Sequence, residues 1–253
     1  MARWYPVCGR RAVSWRQNQV TVSLRLQPST VPTAPSLSLT VPALKPVLHV
    51  QQLHFAYPGA PVLVARWSHA VPAGVTWLRG DTGSGKTTLL SLLAGAQVVG
   101  GGLVLDGVDR HADAAAYRRG LFWHDPAGAN SDACHALTPP NIADRLRARH
   151  PRFDDTVWQQ HLHGFGLGPH LAKPMFALST GTRRKVWLAA ALSAGCALTL
   201  LDEPTAGLDA PSVAYLMQAL AHCAGWPGRA TVVASGVPLD GVPLAGVIDL
   251  PLA

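Results

Sequence analysis

The segment GDTGSGKTT, residues 80–88, places three glycines and a lysine between a short apolar strand pattern and an apolar helix pattern. Its spacing fits G-x-x-x-x-G-K-[ST], in which backbone N–H groups of the loop and of the following helix N-terminus surround an anion. Lys86 supplies a positive charge for β- and γ-phosphates, and the Thr87 hydroxyl is a hard oxygen ligand for Mg²⁺. An ordinary glycine-rich turn is the alternative, which the order of strand, loop and helix disfavours. The predicted polyphosphate site consists of Gly80, Asp81, Thr82, Gly83, Ser84, Gly85, Lys86, Thr87 and Thr88.

Two adjacent acids, Asp202 and Glu203, end the apolar strand pattern CALTLL. A carboxylate at the carboxyl end of a parallel strand lies in the crevice where such sheets bind ligands. Asp202 is suited to Mg²⁺, through water, and Glu203 is suited to orient and polarise an attacking water in phosphoryl transfer. Two acids after a strand are by themselves more often a turn or a helix cap. Together with residues 80–88 they favour the catalytic interpretation.

The elements that must position these residues alternate between strand and helix patterns. Continuous apolar strands in such an alternation predict an α/β fold with a mostly parallel sheet covered on both faces. The first strand pattern, VLHVQQLHFAY, alternates as an edge strand does. Residues 186–201 predict a buried helix followed by a buried strand, because this uncharged stretch is too short for a membrane span and contains Gly195. A compact helical insert is predicted over residues 125–178, with helices starting near Thr138 and at Asp154 or Asp155.

The charge is distributed unevenly along the 253 residues, whose net charge is +7. No acidic residue precedes Asp81, and residues 1–46 are basic and rich in Pro, Ser and Thr. We expect this segment to be a disordered extension and residues 47–250 to form one domain. A basic segment can indicate nucleic acid or an anionic membrane, but no nucleic-acid-binding motif accompanies it, so no nucleic acid is expected as a partner.

The cysteines and histidines give no metal or redox spacing. Cys196 and Cys223 fall in apolar runs and are expected to be buried, which is typical of a reducing, cytoplasmic compartment. His161 and His163 are two residues apart on a helix and therefore point to different faces. Four other histidines are expected to be exposed to solvent, in loops or at helix ends: His111, His135, His150 and His170.

Over residues 47–250 these motifs resemble, as a set, the nucleotide-binding subunits of ABC transporters. AGLD, residues 206–209, is similar to the D-loop of that family, and LSTGT, residues 178–182, is similar to its LSGGQ signature. Tyr57 occupies the place of the family's adenine-stacking aromatic, although a packing role is equally open. The resemblance implies a P-loop NTPase cassette with a mostly parallel sheet core, antiparallel edge strands and a helical subdomain.

The resemblance also implies the ligands and partners. In this family the signature helix of one copy caps the ATP bound by a second copy. The Ser179 hydroxyl and Gly181 N–H would thus approach a γ-phosphate across the interface, and the cations Arg183, Arg184 and Lys185 are either attractive to that polyanion or simply solvated. ATP and Mg²⁺ would close a homo- or heterodimer and hydrolysis would reopen it. Such a subunit is a cytoplasmic ATPase, peripheral on the inner or plasma membrane through a separate transmembrane permease subunit.

The sequence departs from the family pattern at three places. Thr180 and Thr182 replace the first Gly and the Gln of the signature, which is similar to small exporters of the haem- or drug-export type. Asp125 occupies the place of the Q-loop glutamine. Gly236 replaces the switch histidine and should leave Glu203 without a partner. We therefore expect ATP to bind well but to be hydrolysed slowly, or the chain to pair with a non-identical subunit.

Two alternatives to transport remain open from the residues. One is a soluble ABC-type ATPase that acts on nucleic acid or as an assembly scaffold. The chain has one cassette and no large insertion, whereas such members typically have two cassettes or large insertions. The other is a weakly hydrolysing nucleotide-binding partner subunit.

Overall fold

The structure is a computed structural model that describes residues 46–97, 100–123 and 133–252. The expected N-terminal extension, except Pro46, lies outside the described residues, as does Asp125. The predictions made for them stay predictions.

The described elements follow the alternation that the sequence predicts. The strands are β1 (Leu48–Ala56), β2 (Val62–Val71), β3 (Gly74–Arg79), β4 (Gly100–Leu105), β5 (Val108–Asp109), β6 (Leu121–Trp123), β7 (Leu198–Asp202), β8 (Ala230–Ala234) and β9 (Leu244–Asp249). The α-helices are α1 (Lys86–Leu93), α2 (Ala114–Arg119), α3 (Pro139–Arg149), α4 (Asp155–Gly164), α5 (Thr180–Ser193) and α6 (Ala210–Cys223). Two short 3-10 helices, Gly168–His170 and Met175–Ala177, lie between α4 and α5.

A parallel sheet forms the centre of the domain, in the order β6-β7-β8-β3-β9. Every residue of β8 is buried, as is every residue of β7 except its last, Asp202. Continuous burial of this kind requires cover on both faces of the sheet. The predicted mostly parallel α/β core is therefore confirmed.

The antiparallel strands form a second sheet of their own, in the order β2-β1-β4-β5. The prediction of β1 as an edge strand is wrong, because Leu48 pairs with Val71 of β2 on one side and with Leu105 of β4 on the other. The alternating pattern indicates that one face is buried, but it says nothing about how many neighbours a strand has.

Two apolar cores lie on opposite faces of the parallel sheet. Leu201 and Val233 belong to the core that contains α3 to α6, whereas Leu200 and Val232 belong to the core shared with α1 and the antiparallel sheet. Neighbouring residues of a strand point to opposite faces, so β7 and β8 each contribute to both cores. The buried helix and strand expected over residues 186–201 correspond to α5 and β7.

The helix starts in the insert follow the predicted caps. Thr138 forms a capping box with Asn141 at the start of α3, and the Asp154 carboxylate accepts the N–H groups of Thr156 and Val157 at the start of α4. These side chains satisfy backbone donors that the first turn of a helix leaves unpaired. None of the helices within the described ranges is long and apolar enough to cross a bilayer.

The expected burial of Cys196 and Cys223 is confirmed, but His150 is buried too, against the prediction that it is exposed. Its Nδ1 lies 3.2 Å from Sγ of Cys196, and its ring packs on Phe122. Burial lowers the pKa of His150 and raises the pKa of Cys196 to about 12. His150 is indeed at a helix end, directly after α3, but a helix end need not be solvated, and this one is buried.

Candidate functional site

The loop of residues 80–88 joins β3 to α1, as the motif requires. Gly83 and Gly85 have φ angles of 81° and 97°, which side chains other than glycine rarely adopt. The N–H of Ser84 donates to the Asp81 carbonyl and closes the turn, and Thr82 is exposed near its tip. The loop therefore has the backbone conformation of a compact anion-binding turn.

Lys86 is the first residue of α1, and its side chain turns back over the loop. Its Nζ donates to the carbonyls of Gly80 at 2.7 Å and Asp81 at 3.1 Å. The residue is only 7% exposed. A buried ammonium group is thus fixed at the centre of the turn.

The two predicted acids meet this loop across the sheet. The Thr87 hydroxyl donates to Oδ2 of Asp202 at 2.6 Å, and Nζ of Lys86 lies 3.3 Å from Oε1 of Glu203. The carboxyl end of β7 and the start of α1 converge here, as expected for the crevice at the carboxyl edge of a parallel sheet.

Asp202 has one carboxylate oxygen that suits a cation. Its Oδ1 is buried, and no described residue forms a hydrogen bond with it. Burial raises the pKa of Asp202, while the hydrogen bond from Thr87 opposes that rise. A hydroxyl beside a half-satisfied carboxylate is the kind of oxygen donor pair that Mg²⁺ uses together with phosphate oxygens.

Glu203 does have a partner in place of the missing histidine, contrary to the sequence-based expectation. The Gly236 N–H lies 3.2 Å from Oε1 and 3.4 Å from Oε2 of its carboxylate. Gly236 follows β8, the strand next to β7, so the sheet itself places this N–H beside Glu203. A backbone donor replaces the side chain, which sequence patterns cannot reveal.

Tyr57 lies beside the loop, just after β1. Its hydroxyl is 3.2 Å from Oγ1 of Thr88, its ring packs edge-on against Phe55, and 45% of the residue is exposed. The aromatic face is therefore open to solvent at the edge of the candidate site.

Ser179 and Gly181 lie at the start of α5. The Ser179 hydroxyl caps the helix by accepting the Thr182 N–H at 3.1 Å. A Cβ on Gly181 would lie 2.6 Å from the carbonyl oxygen of Gly207, so this glycine is required for the close approach of residues 206–209 to the helix. The structure thus joins the LSTGT and AGLD segments within one chain.

The cations after Gly181 are not merely solvated. Nη1 of Arg184 donates to the Glu203 carbonyl at 2.6 Å, and Nζ of Lys185 pairs with Oδ2 of Asp209 at 2.6 Å. The hydrogen bond from Lys185, together with those from Ser212, lowers the pKa of Asp209. Arg183 donates to the Thr180 hydroxyl within the helix. The run of positive charge was the only sequence signal for these contacts, and it does not identify their partners.

Comparison with known proteins agrees with this geometry. The family described as ABC transporter matches residues 68–206. A solved structure described as the ATP-binding subunit of an ABC transporter superposes with a TM-score of 0.64 at 19% identity, over 76% of this chain and 80% of its own. That similarity shows the same fold.

Closer sequence relatives carry more specific names. The chain is 34% identical to the cytochrome c biogenesis ATP-binding export protein CcmA of Alkalilimnicola ehrlichii, over 77% of this chain and 85% of that protein. It is also 34% identical to CcmA of Paracoccus denitrificans, over 70% and 76% of the two chains. The zinc import ATP-binding protein ZnuC of Halorhodospira halophila is 30% identical, over 75% of this chain and 68% of its own.

Proposed function

The chain belongs to the ABC transporter family, as an ATP-binding subunit that acts with a separate membrane component, and on that premise we propose that residues 80–88 bind the phosphates of ATP. The observation that supports this assignment best is the convergence of Lys86 and Thr87 with Asp202 and Glu203. A buried ammonium group and the N-terminus of α1 both favour a polyanion at this point.

Thr87 and Asp202 would hold Mg²⁺, and the unpaired Oδ1 of Asp202 supports this assignment. When bound, Mg²⁺ neutralises charge on the phosphate oxygens. Tyr57 would stack on the adenine, because its ring is exposed beside Thr88.

The chain is an ATPase, and Glu203 is the proposed residue that orients and polarises the attacking water. Its carboxylate lies between Lys86 Nζ and the Gly236 N–H. Lys86 would leave Glu203 for the γ-phosphate when ATP binds, which frees the carboxylate to accept a proton from water.

Turnover would be slow in the isolated chain. The Gly236 N–H can hold the carboxylate, but it offers no side chain to contact the γ-phosphate or the attacking water.

A second nucleotide-binding subunit would complete the site, in a homo- or heterodimer. Ser179 and Gly181 at the N-terminus of α5 would approach the γ-phosphate bound by the other copy. The exposed Ser179 hydroxyl and the fixed contact of Gly181 with Gly207 support this role. Binding of ATP would close the dimer, and hydrolysis would release it.

Export is the direction we propose. The CcmA relatives are named export proteins of cytochrome c biogenesis and are 34% identical over most of their length. The membrane partner would be a permease of the haem- or drug-export type, and the chain would be peripheral on the cytoplasmic face of the membrane through it.

Phosphate release from ATP by the purified chain tests the proposed hydrolysis. We expect Mg²⁺-dependent release, and Asp202→Asn should raise the Mg²⁺ concentration needed for half-maximal rate by about tenfold. Absence of phosphate release from the wild-type chain, alone and with its membrane partner, would contradict the proposed function.

A further inference from the structure

Arg184 connects α5 directly to the backbone of Glu203. Its Nη1 donates to the Glu203 carbonyl at 2.6 Å, in a partly buried position. Arg184 lies five residues after Ser179, the N-cap of the same helix, and Glu203 directly follows β7. The contact therefore joins the helix of the LSTGT segment to the residue that carries the proposed catalytic carboxylate.

The backbone of Glu203 is in an unusual conformation. Its φ is 40°, in the left-handed region, which is unfavourable for a non-glycine residue and persists only where the surroundings impose it. Its N–H donates to the Ala234 carbonyl at 2.8 Å, and its carbonyl accepts the Ala206 N–H at 3.0 Å. Arg184 is the side chain that adds a charged donor to this carbonyl.

This conformation decides where the carboxylate points. The Cα–Cβ bond of Glu203 directs the side chain towards Lys86 and the Gly236 N–H. A change of φ to the usual negative range would rotate that bond and move the carboxylate out of its contacts. A displacement of about 1 Å in a catalytic group can cost on the order of a hundredfold in rate.

We propose that Arg184 is a positioning residue for ATP hydrolysis, which keeps the Glu203 backbone in its left-handed conformation and so aims the carboxylate at the reaction site. The inference rests on the proposed role of Glu203. Two further contacts fix α5 against the same segment, the Lys185–Asp209 ion pair and the close approach of Gly181 to Gly207. Arg184 thus adds a contact with Glu203 to a helix, α5, that already contacts residues 207–209.

A positioning role for Arg184 differs from electrostatic attraction of ATP by the arginine's positive charge. Arg184 is bound to a carbonyl, so its loss should change the placement of Glu203 and leave the binding of ATP to residues 80–88 intact. We expect Arg184→Ala to lower kcat by about tenfold to a hundredfold, with KM for ATP changed by less than about twofold. Arg184→Lys should restore most of kcat, because an ammonium group also donates to a carbonyl.

Arg110→Ala is the matched control. Arg110 is partly buried and donates to the Gln97 carbonyl at 2.6 Å, so its loss removes a contact of the same kind away from Glu203. The free energy of unfolding in urea should fall by a similar amount in both variants, whereas kcat should fall only in Arg184→Ala.

The possible results distinguish the positioning role of Arg184 from the proposed function. An unchanged kcat in Arg184→Ala, or a loss that appears in KM instead, overturns the positioning role and leaves the proposed function standing. A fall of kcat in Arg110→Ala equal to that in Arg184→Ala also overturns it, since general destabilisation would then explain both. A wild-type chain that does not hydrolyse ATP overturns the proposed function and this inference together.

Discussion

Nζ of Lys86 lies 3.3 Å from Oε1 of Glu203, so the lysine of the phosphate-binding loop pairs with the acid that follows β7. Lys86 is buried, whereas the Glu203 side chain is 41% exposed. An incoming γ-phosphate must compete with this carboxylate for the same ammonium group. Binding of ATP and release of Glu203 are therefore expected to be linked.

Glu203→Gln should separate binding from hydrolysis. The amide removes the negative charge that competes for Lys86, so we expect ATP to bind about threefold more tightly or better. It also removes the proposed base, and kcat should fall by at least about a hundredfold. The ATP-bound dimer should then accumulate, which light scattering after size exclusion can measure.

Two controls use the same light-scattering measurement. One replaces MgATP by MgADP, and the other adds Lys86→Ala to Glu203→Gln. Both should give monomer. Monomer alone at high concentrations of Glu203→Gln and MgATP would contradict the two-copy site.

Gly236→His should raise turnover. A Cβ on Gly236 would lie 3.9 Å from Oε1 of Glu203, an ordinary contact, so the structure has room for a side chain here. An imidazole at this position can contact the γ-phosphate and the attacking water, and we expect kcat to rise by about tenfold. Gly236→Ala is the control and should leave kcat nearly unchanged. Equal or lower turnover in Gly236→His would show that Gly236 does not limit the rate.

Much of this site could be predicted from local patterns. The loop of residues 80–88 and the acids after β7 follow strands and precede helices or turns, and their chemistry depends on residues that are close in sequence. The N-caps at Thr138 and Asp154 follow for the same reason. Strand and helix alternation likewise predicted the parallel core.

The remainder depends on contacts between distant residues. Arg184 lies in a cationic run that is typical of a solvated face, and its partner is a carbonyl that carries no sequence signal. The contact of the Gly236 N–H with the Glu203 carboxylate could not be predicted either, because a backbone donor carries no sequence signal. The strands that pair with β1 and the burial of His150 both depend on how the elements assemble. A single strand pattern or a single helix end does not specify that assembly.

Gly181→Ala should weaken the domain. The added Cβ would lie 2.6 Å from the Gly207 carbonyl oxygen, so the backbone of one segment must shift. Overpacking of this kind costs about 1–3 kcal/mol, measured as the free energy of unfolding in urea. Gly168→Ala is the control, because no atom lies within 4 Å of its added Cβ, and it should change stability by less than about 0.5 kcal/mol. Equal stabilities of the two variants would contradict the tight contact.

His161 should make stability depend on pH. Its Nδ1 lies 2.8 Å from the Tyr215 hydroxyl, and burial, with a smaller contribution from His222, lowers its pKa from 6.5 to about 4. The unfolded chain therefore binds a proton between these values that the folded chain does not. Stability that is fully present above pH 6.5 should be lost as the pH falls towards 4, by up to about 3 kcal/mol.

Urea unfolding at pH 7 and pH 5 measures this dependence. His161→Gln should lose less stability between the two pH values than the wild type. His163→Gln changes an exposed histidine of the same helix and should behave as the wild type does. Identical pH dependence in wild type and His161→Gln would exclude His161 as the cause.

The central claim is that the loop of residues 80–88 binds ATP together with Mg²⁺, and calorimetric titration of ATP into the wild-type chain and Lys86→Ala tests it most directly. We predict binding that strengthens when Mg²⁺ is present, and a Kd at least about tenfold weaker in Lys86→Ala, because a charged contact to the phosphates is lost. Equal Kd values for the two chains, or a wild-type Kd that does not respond to Mg²⁺, would contradict the account.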